Sequence, residues 1–118
     1  MAWYIVQPCW KHHQDYLVRY VQFRGIVHLD LGGCELGRNI TPQIGNISTL
    51  KYLDLSTCNL SGDLPPSLGN LTRLEFLHIS YNGIQGPIPS TLGQLTNLQS
   101  QPNQWIHPIR NWIFIKFV

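Results

Sequence analysis

Two aspartates are the first residues whose type and spacing could support chemistry. Asp30 and Asp54 each stand between two leucines, in matching Leu-Asp-Leu segments at 29–31 and 53–55. Paired carboxylates can act as acid and as base or nucleophile in glycoside hydrolysis. The adjacent His12 and His13 could bind a metal only if ligands from elsewhere in the chain joined them. A surface histidine pair without a function is the simpler interpretation, so neither pair by itself predicts an active site.

No catalytic or cofactor motif accompanies these residues. The sequence contains no Walker loop, no dinucleotide-binding loop, no Gly-x-Ser-x-Gly and no His-Glu-x-x-His. Charged residues make up 12% of the chain and the net charge is +2, so no basic field indicates nucleic acid. We predict a chain that is not an enzyme, with no cofactor, no metal site and no nucleic-acid partner.

The leucines are confined to the middle of the chain. The 118 residues are enough for one small domain, and 15 of the 16 leucines fall between Leu29 and Leu98. The first ten residues hold a short apolar run broken by Gln7 and Pro8, too short for a signal peptide. No run approaches the roughly 18 apolar residues that span a bilayer. We therefore predict no export signal and no membrane span in this chain.

An internal repeat explains this confinement. Eight positions hold an apolar residue or a glycine in each of three successive copies, and we call each set of equivalent positions a column. The copies follow one another at a constant offset, equal to that between Leu29 and Leu53, without an insertion. The columns are Leu29, Leu53 and Leu77; Leu31, Leu55 and Ile79; Leu36, Leu60 and Ile84; Ile40, Leu64 and Ile88; Ile44, Leu68 and Leu92; Gly45, Gly69 and Gly93; Ile47, Leu71 and Leu95; and Leu50, Leu74 and Leu98. The Leu-Asp-Leu alternation predicts a short strand with one buried face. Coils of this kind need neighbours to be stable.

One further column holds small polar or thiol side chains. Cys34, Cys58 and Asn82 align in the repeat, and we expect them to bond backbone groups of neighbouring coils at a buried turn. We predict that Cys34 and Cys58 are buried thiols, and neither a disulfide nor a nucleophile.

The repeat resembles the plant-type leucine-rich repeat. The resemblance is carried by segment 50–72, LKYLDLSTCNLSGDLPPSLGNLT, and by the next copy with ISYN at 79–82 and GPIP at 86–89. It implies an α/β-type repeat solenoid: a short right-handed coil of about three 24-residue repeats, with short parallel strands on the concave face. In this family an aspartate between the strand leucines is a common polar position, which argues against catalysis by Asp30 and Asp54.

The resemblance covers residues 26–98 and leaves two atypical ends. Residues 1–25 form an atypical N-terminal segment. Cys9-Trp10 weakly resembles the family's capping motif, but the second cysteine of that motif is missing. Tyr16, Leu17, Tyr20 and Val21 have helical spacing and predict a capping helix, with a poorly ordered leader as the alternative. Residues 99–118 are a divergent apolar tail, which either caps the last coil or does not belong to the family.

The resemblance places a partner-binding surface on the strand residues that do not point inward. The candidate residues are His28, Asp30, Tyr52, Asp54, Thr57, Phe76, His78, Ser80 and Tyr81. We expect Tyr52, Phe76 and Tyr81 to cluster beside Asp54 and His78, since adjacent strands lie about 4.8 Å apart. Aromatic anchors among polar groups are typical of protein and peptide interfaces. An ordinary solvated strand surface is the alternative.

Four Asn-x-Ser/Thr sequons are candidates for glycosylation. They begin at Asn39, Asn46, Asn59 and Asn70, and Asn46 and Asn70 share one position in the repeat. Turn-forming asparagines of the repeat are the alternative interpretation, although the surplus favours an extracellular ancestry.

The resemblance indicates a binding protein. The leading hypothesis is a module that recognises a protein or peptide ligand, resembling part of a plant receptor-like ectodomain in signalling or defence. Its partner could then include a co-receptor, and its location would be extracellular or at the plasma membrane. The alternatives are an inhibitor of microbial cell-wall hydrolases, similar to the polygalacturonase inhibitors, with a microbial enzyme as partner, and a truncated fragment without a function.

Overall fold

The computed structural model describes residues 3–6, 25–37 and 39–98. Its strands are β1 (Trp3–Val6), β2 (Ile26–Asp30), β3 (Tyr52–Asp54), β4 (Ser61–Gly62), β5 (Phe76–His78) and β6 (Gly83–Ile84). Four of them form one parallel sheet in the order β1-β2-β3-β5, and β4 and β6 pair in parallel as a second, smaller sheet. The 3-10 helices Pro42–Asn46, Pro66–Asn70 and Ser90–Gln94 complete these elements.

The strand register reproduces the period of the repeat. Leu29 pairs with Leu53, and Leu53 pairs with Leu77, so equivalent positions of successive copies are neighbours in the sheet. The leucine and isoleucine columns of the repeat are largely buried, and Leu29, Leu53 and Leu55 have no exposed surface. Burial of one such side chain contributes roughly 1.5–3 kcal/mol. The alternation of buried leucines with half-buried polar residues therefore places one strand face in the core and the other at the surface.

The strand β1 was not predicted. It lies in the N-terminal segment 1–25 and pairs with β2, with Tyr4 opposite His28 and Ile5 opposite Leu29. These pairs have the same offset as Leu29 and Leu53, so the period extends one strand further toward the N-terminus than the leucine columns indicated. The predicted capping helix around Tyr16–Val21 and the tail 99–118 lie outside the described residues.

The column of Cys34, Cys58 and Asn82, which we call the turn column, is confirmed as a source of hydrogen bonds between coils, with one correction. The buried amide of Asn82 accepts from the N–H groups of Cys58 and Leu60, at 2.9 and 3.0 Å. The Cys58 thiol donates to the carbonyl of Leu31 at 3.0 Å, and burial raises its pKa to about 12. Cys58 is thus the buried thiol that we expected. The expectation for Cys34 was wrong, because Cys34 is disulfide-bonded.

Adjacent 3-10 helices contact each other through a glycine. A methyl group on Gly45 would lie 2.5 Å from the carbonyl oxygen of Ser67, and one on Gly69 would lie 2.7 Å from Cβ of Thr91. The hydroxyls of Ser67 and Thr91 also bond the preceding coil, through the carbonyls of Pro42 and Pro66. The repeated glycine therefore permits close stacking of neighbouring coils. No helix within the described ranges is long and apolar enough to cross a membrane.

Candidate partner-binding surface

A row of stacked rings crosses the exposed face of the large sheet. The rings of His28 and Tyr52 are 4.0 Å apart and 5° from parallel, and those of Tyr52 and Phe76 are 4.4 Å apart and 3° from parallel. Tyr4 extends the row at 5.6 Å from His28. The in-register parallel pairing causes this stack, because it places equivalent side chains directly beside each other. We call Tyr4, His28, Tyr52 and Phe76 the aromatic row.

The aromatic row is open to solvent. Tyr4 is 68% exposed, and His28, Tyr52 and Phe76 are half-buried because each ring covers its neighbour. Stacked rings hold their positions without a large loss of side-chain freedom on binding, which is the property of aromatic anchors at interfaces.

A second row follows two residues further along each strand. It contains Asp30, Asp54 and His78, which we call the polar row, and Asp30 pairs with Asp54 and Asp54 with His78 across the strands. Oδ1 of Asp54 accepts from the amide and the hydroxyl of Ser56, at 2.9 and 2.6 Å. Nδ1 of His78 lies 3.5 Å from Oδ2 of Asp54. Oδ1 of Asp30 accepts from the amide of Gly32 at 3.0 Å.

The two rows influence each other electrostatically. Burial by itself would raise the pKa of Asp54, but the hydrogen bonds from His78 and from the hydroxyl and amide of Ser56 lower it below its ordinary value of 3.8. Burial raises the pKa of Tyr52, and the carboxylates of Asp54 and Asp30 raise it further. The hydroxyl of Tyr52 therefore lies in the negative field of these two carboxylates.

The lowered pKa of Asp54 predicts a loss of stability in acid. A group with a lower pKa in the folded chain than in the unfolded chain stabilises the fold above its unfolded pKa, and this contribution disappears as the pH falls through the folded pKa. We expect the free energy of unfolding to decrease below about pH 4, and Asp54→Asn to make this decrease shallower. Urea unfolding followed by circular dichroism from pH 6 to pH 2 measures both. Identical pH profiles for the two proteins would contradict the prediction.

Three of the predicted partner-binding residues lie apart from the two rows. Tyr81 is 70% exposed, but within the described ranges its ring stacks on no other. The chain has left the extended conformation there, with φ of 59° at Tyr81. The expected cluster of Tyr81 with Tyr52 and Phe76 was therefore wrong. Thr57, with φ of 54°, is likewise exposed at the turn after its strand.

Ser80 requires a second correction. It is only 3% exposed, and its hydroxyl contacts Nε2 of His78. Ser80 therefore positions the His78 ring and does not present a surface to a partner. The remaining predicted residues, His28, Asp30, Tyr52, Asp54, Phe76 and His78, are together on one face of the sheet.

Sequence reasoning missed Tyr4, although its offset from His28, equal to that between the repeat copies, was a usable signal. It also missed a cavity of about 280 Å³ that is lined by Lys51, Arg73, Glu75 and Asn97. Lys51 and Arg73 are the lysine and arginine residues of the described part of the chain, and both line this cavity. In the same described part, no group of three histidine, cysteine or acidic side chains is arranged to hold a metal ion.

Comparison with known proteins agrees with this geometry. The family model for the leucine-rich repeat region matches residues 9–101, and the solved structures similar to this one include plant receptor ectodomains. The chain belongs to the plant-type leucine-rich repeat proteins. No curated protein matches it.

Three solved structures illustrate the similarity. The ectodomain of the membrane receptor kinase GASSHO1/SCHENGEN3 from Arabidopsis thaliana, in complex with CASPARIAN STRIP INTEGRITY FACTOR 2, is 38% identical over 68% of this chain, with a TM-score of 0.66. The plant peptide hormone receptor RGFR1 in complex with RGF2 is 35% identical over 69%, with a TM-score of 0.65. The BIR2 ectodomain from Arabidopsis thaliana is 30% identical over 68%, with a TM-score of 0.65.

This chain spans only part of those proteins. The aligned region is 10% of the GASSHO1/SCHENGEN3 chain, 13% of the RGFR1 chain and 43% of the BIR2 chain. The similarity therefore concerns a short stretch of repeats.

Proposed function

We propose that this chain is a non-enzymatic recognition module that binds an extended peptide, or an extended segment of a protein, across the aromatic row and the polar row. The stacked rings of His28, Tyr52 and Phe76 carry the proposal, because they form a continuous anchor surface on the exposed sheet face. Two of the similar ectodomains are described as complexes with CASPARIAN STRIP INTEGRITY FACTOR 2 and RGF2, which supports ligand recognition in signalling.

We also propose that this chain has the coil geometry and the cellular location that are typical of the family. The chain forms about three right-handed coils, one for each copy of the repeat, and the two rows line the concave side. It acts outside the cell or at the plasma membrane, as part of a receptor-like ectodomain. The sequon asparagines Asn39, Asn46, Asn59 and Asn70 are all exposed, and we include their glycosylation in the proposal. Asn59 donates its amide to Glu35 at 2.6 Å, so a glycan there replaces that bond.

Selection from a random library tests the proposal. Phage that display random dodecapeptides are selected on the purified chain, and the dissociation constants of the enriched peptides are measured by fluorescence anisotropy. We expect Tyr52→Ala and Phe76→Ala each to weaken binding by more than about fivefold, because truncation of an aromatic anchor costs more than about 1 kcal/mol. The matched control is Tyr81→Ala, which removes a similarly exposed ring away from the aromatic row and leaves the affinity unchanged.

The thermal unfolding midpoint of each variant separates loss of binding from loss of folding. Enriched peptides that bind Tyr52→Ala and Phe76→Ala as tightly as the parent chain would place recognition elsewhere. A library that yields no binder would reject peptide recognition. Inhibition of a polygalacturonase by the same purified chain would then support the inhibitor hypothesis.

A further inference from the structure

The cavity of about 280 Å³ beside the sheet carries a net positive charge. We call it the basic cavity, and it is lined by Lys51, Arg73, Glu75 and Asn97. Lys51 and Arg73 are the lysine and arginine residues of the described part of the chain, so the cations of that part are concentrated at one place. The single ion pair among the described residues lies in the polar row. The ammonium and the guanidinium are therefore without a carboxylate partner among those residues.

The period of the repeat brings the two cations together. Lys51 and Glu75 are equivalent positions directly before β3 and β5, and Arg73 and Asn97 are equivalent positions in the next two coils. The backbone N–H of Glu75 donates to the carbonyl of Lys51 at 2.8 Å. The Asn97 side chain donates to the carbonyl of Thr72 at 2.9 Å. Hydrogen bonds between neighbouring coils therefore fix the frame of the basic cavity, while the long side chains of Lys51 and Arg73 are exposed at its rim.

The aromatic row separates the basic cavity from the polar row. Lys51 and Glu75 directly precede Tyr52 and Phe76, whereas the polar row follows two residues after those rings. Successive residues of a strand are about 3.3 Å apart, so a peptide on the rings has a net positive charge at one flank and the carboxylates of the polar row at the other. An acidic side chain is attracted to the first flank and repelled by the second.

We propose that the basic cavity binds an acidic side chain of the peptide that lies on the aromatic row. This inference rests on the proposed function, because it names a group of the same ligand. The planar guanidinium of Arg73 matches a carboxylate with two parallel hydrogen bonds, and the ammonium of Lys51 adds a compact charge. A volume of about 280 Å³ is below that of most small-molecule sites and suits a single residue.

Titration of the ¹⁵N-labelled chain with Nα-acetyl-glutamate amide tests the inference by NMR. We expect saturable shifts of the Arg73 Nε–H signal and of the Glu75 backbone amide signal. Nα-acetyl-glutamine amide, which has a similar shape without the charge, should cause no such shifts. Arg73→Gln and Lys51→Gln should each raise the dissociation constant of the glutamate probe by about fivefold, the upper end for an exposed ion pair. The thermal unfolding midpoint of each variant verifies that it remains folded.

Two carboxylate variants provide a matched control with the opposite sign. Glu75→Gln removes the carboxylate that lines the basic cavity and should tighten binding of the glutamate probe by about twofold. Asp63→Asn removes an exposed carboxylate directly after β4. It changes the net charge by the same amount but should leave the affinity unchanged. Equal effects of the two variants would show that the probe responds only to net charge and would overturn the inference, as would the absence of saturable shifts.

Two further probes distinguish other anions. Tighter binding of N-acetylglycine would assign the cavity to the C-terminal carboxylate of a peptide, and tighter binding of inorganic phosphate would assign it to a phosphate group. Either result would overturn the assignment of an acidic side chain.

The outcome is separable from that of the proposed function. If the selected dodecapeptides depend on Tyr52 and Phe76 but bind Arg73→Gln as tightly as the parent chain, and the glutamate probe does not bind, peptide recognition stands and the acidic side chain is wrong. If no dodecapeptide is selected while the glutamate probe still binds at Arg73, the basic cavity stands and peptide recognition is wrong.

Discussion

Gly69→Ala is expected to lower the free energy of unfolding by about 3 kcal/mol, at the upper end of the usual cost of overpacking. A methyl group at Gly69 would lie 2.7 Å from Cβ and 2.8 Å from the carbonyl carbon of Thr91, which belongs to the next coil. The nearest atoms are mainly backbone, so no side-chain rotation can relieve the contact. The neighbouring 3-10 helices would have to separate, and the leucines between them would lose packing. Urea unfolding followed by circular dichroism measures the effect.

The repeat itself supplies the control for this prediction. Gly93 occupies the same column as Gly69, but among the residues that the structure describes a methyl group on Gly93 would meet nothing within 4 Å. Gly93→Ala should therefore be neutral or stabilising by up to about 1 kcal/mol, because alanine restricts the unfolded chain more than glycine does. Gly45→Ala, which would meet the backbone of Ser67, should behave like Gly69→Ala. Equal unfolding midpoints for the Gly69 and Gly93 variants would show that coil stacking does not explain the glycine column.

Asn82→Ala is the second change with a large expected effect, about 3 kcal/mol of lost stability. The Asn82 amide is 3% exposed and donates to the carbonyl of Leu55 at 2.8 Å while accepting from Cys58 and Leu60. Alanine would leave three backbone groups buried without a partner, and each costs about 1 kcal/mol or more. Thermal and urea unfolding of the variant measure the loss.

Two further variants make the test specific to the buried amide. Asn97→Ala removes an exposed amide that donates to the carbonyl of Thr72 at 2.9 Å, and it should change stability by less than about 1 kcal/mol. Asn82→Cys should recover part of the loss, because Cys58 donates from the equivalent position to the equivalent carbonyl, that of Leu31. An Asn82→Ala variant as stable as Asn97→Ala would contradict the proposed role of the amide.

The sequence was sufficient to predict the parts of this protein that depend on the period alone. A repeat of constant length places equivalent side chains opposite each other in parallel strands, so the buried leucine columns and the adjacency of Tyr52 and Phe76 followed from spacing. The bonds made by the turn column followed in the same way, because a buried turn must satisfy its backbone groups. β1 could also have been predicted from the same offset, since Tyr4 and Ile5 align with His28 and Leu29.

Only the tertiary structure decided the features that depend on how individual groups are oriented. Cys34 and Cys58 share a column, yet Cys34 is disulfide-bonded and Cys58 is a free thiol, a difference that their shared position in the repeat does not predict. Tyr81 has a positive φ beyond the end of β5 and lies apart from the aromatic row, and Ser80 is buried against His78. Spacing determines which residues are opposite each other across the strands, but the backbone conformation and the surrounding side chains determine which of them are exposed.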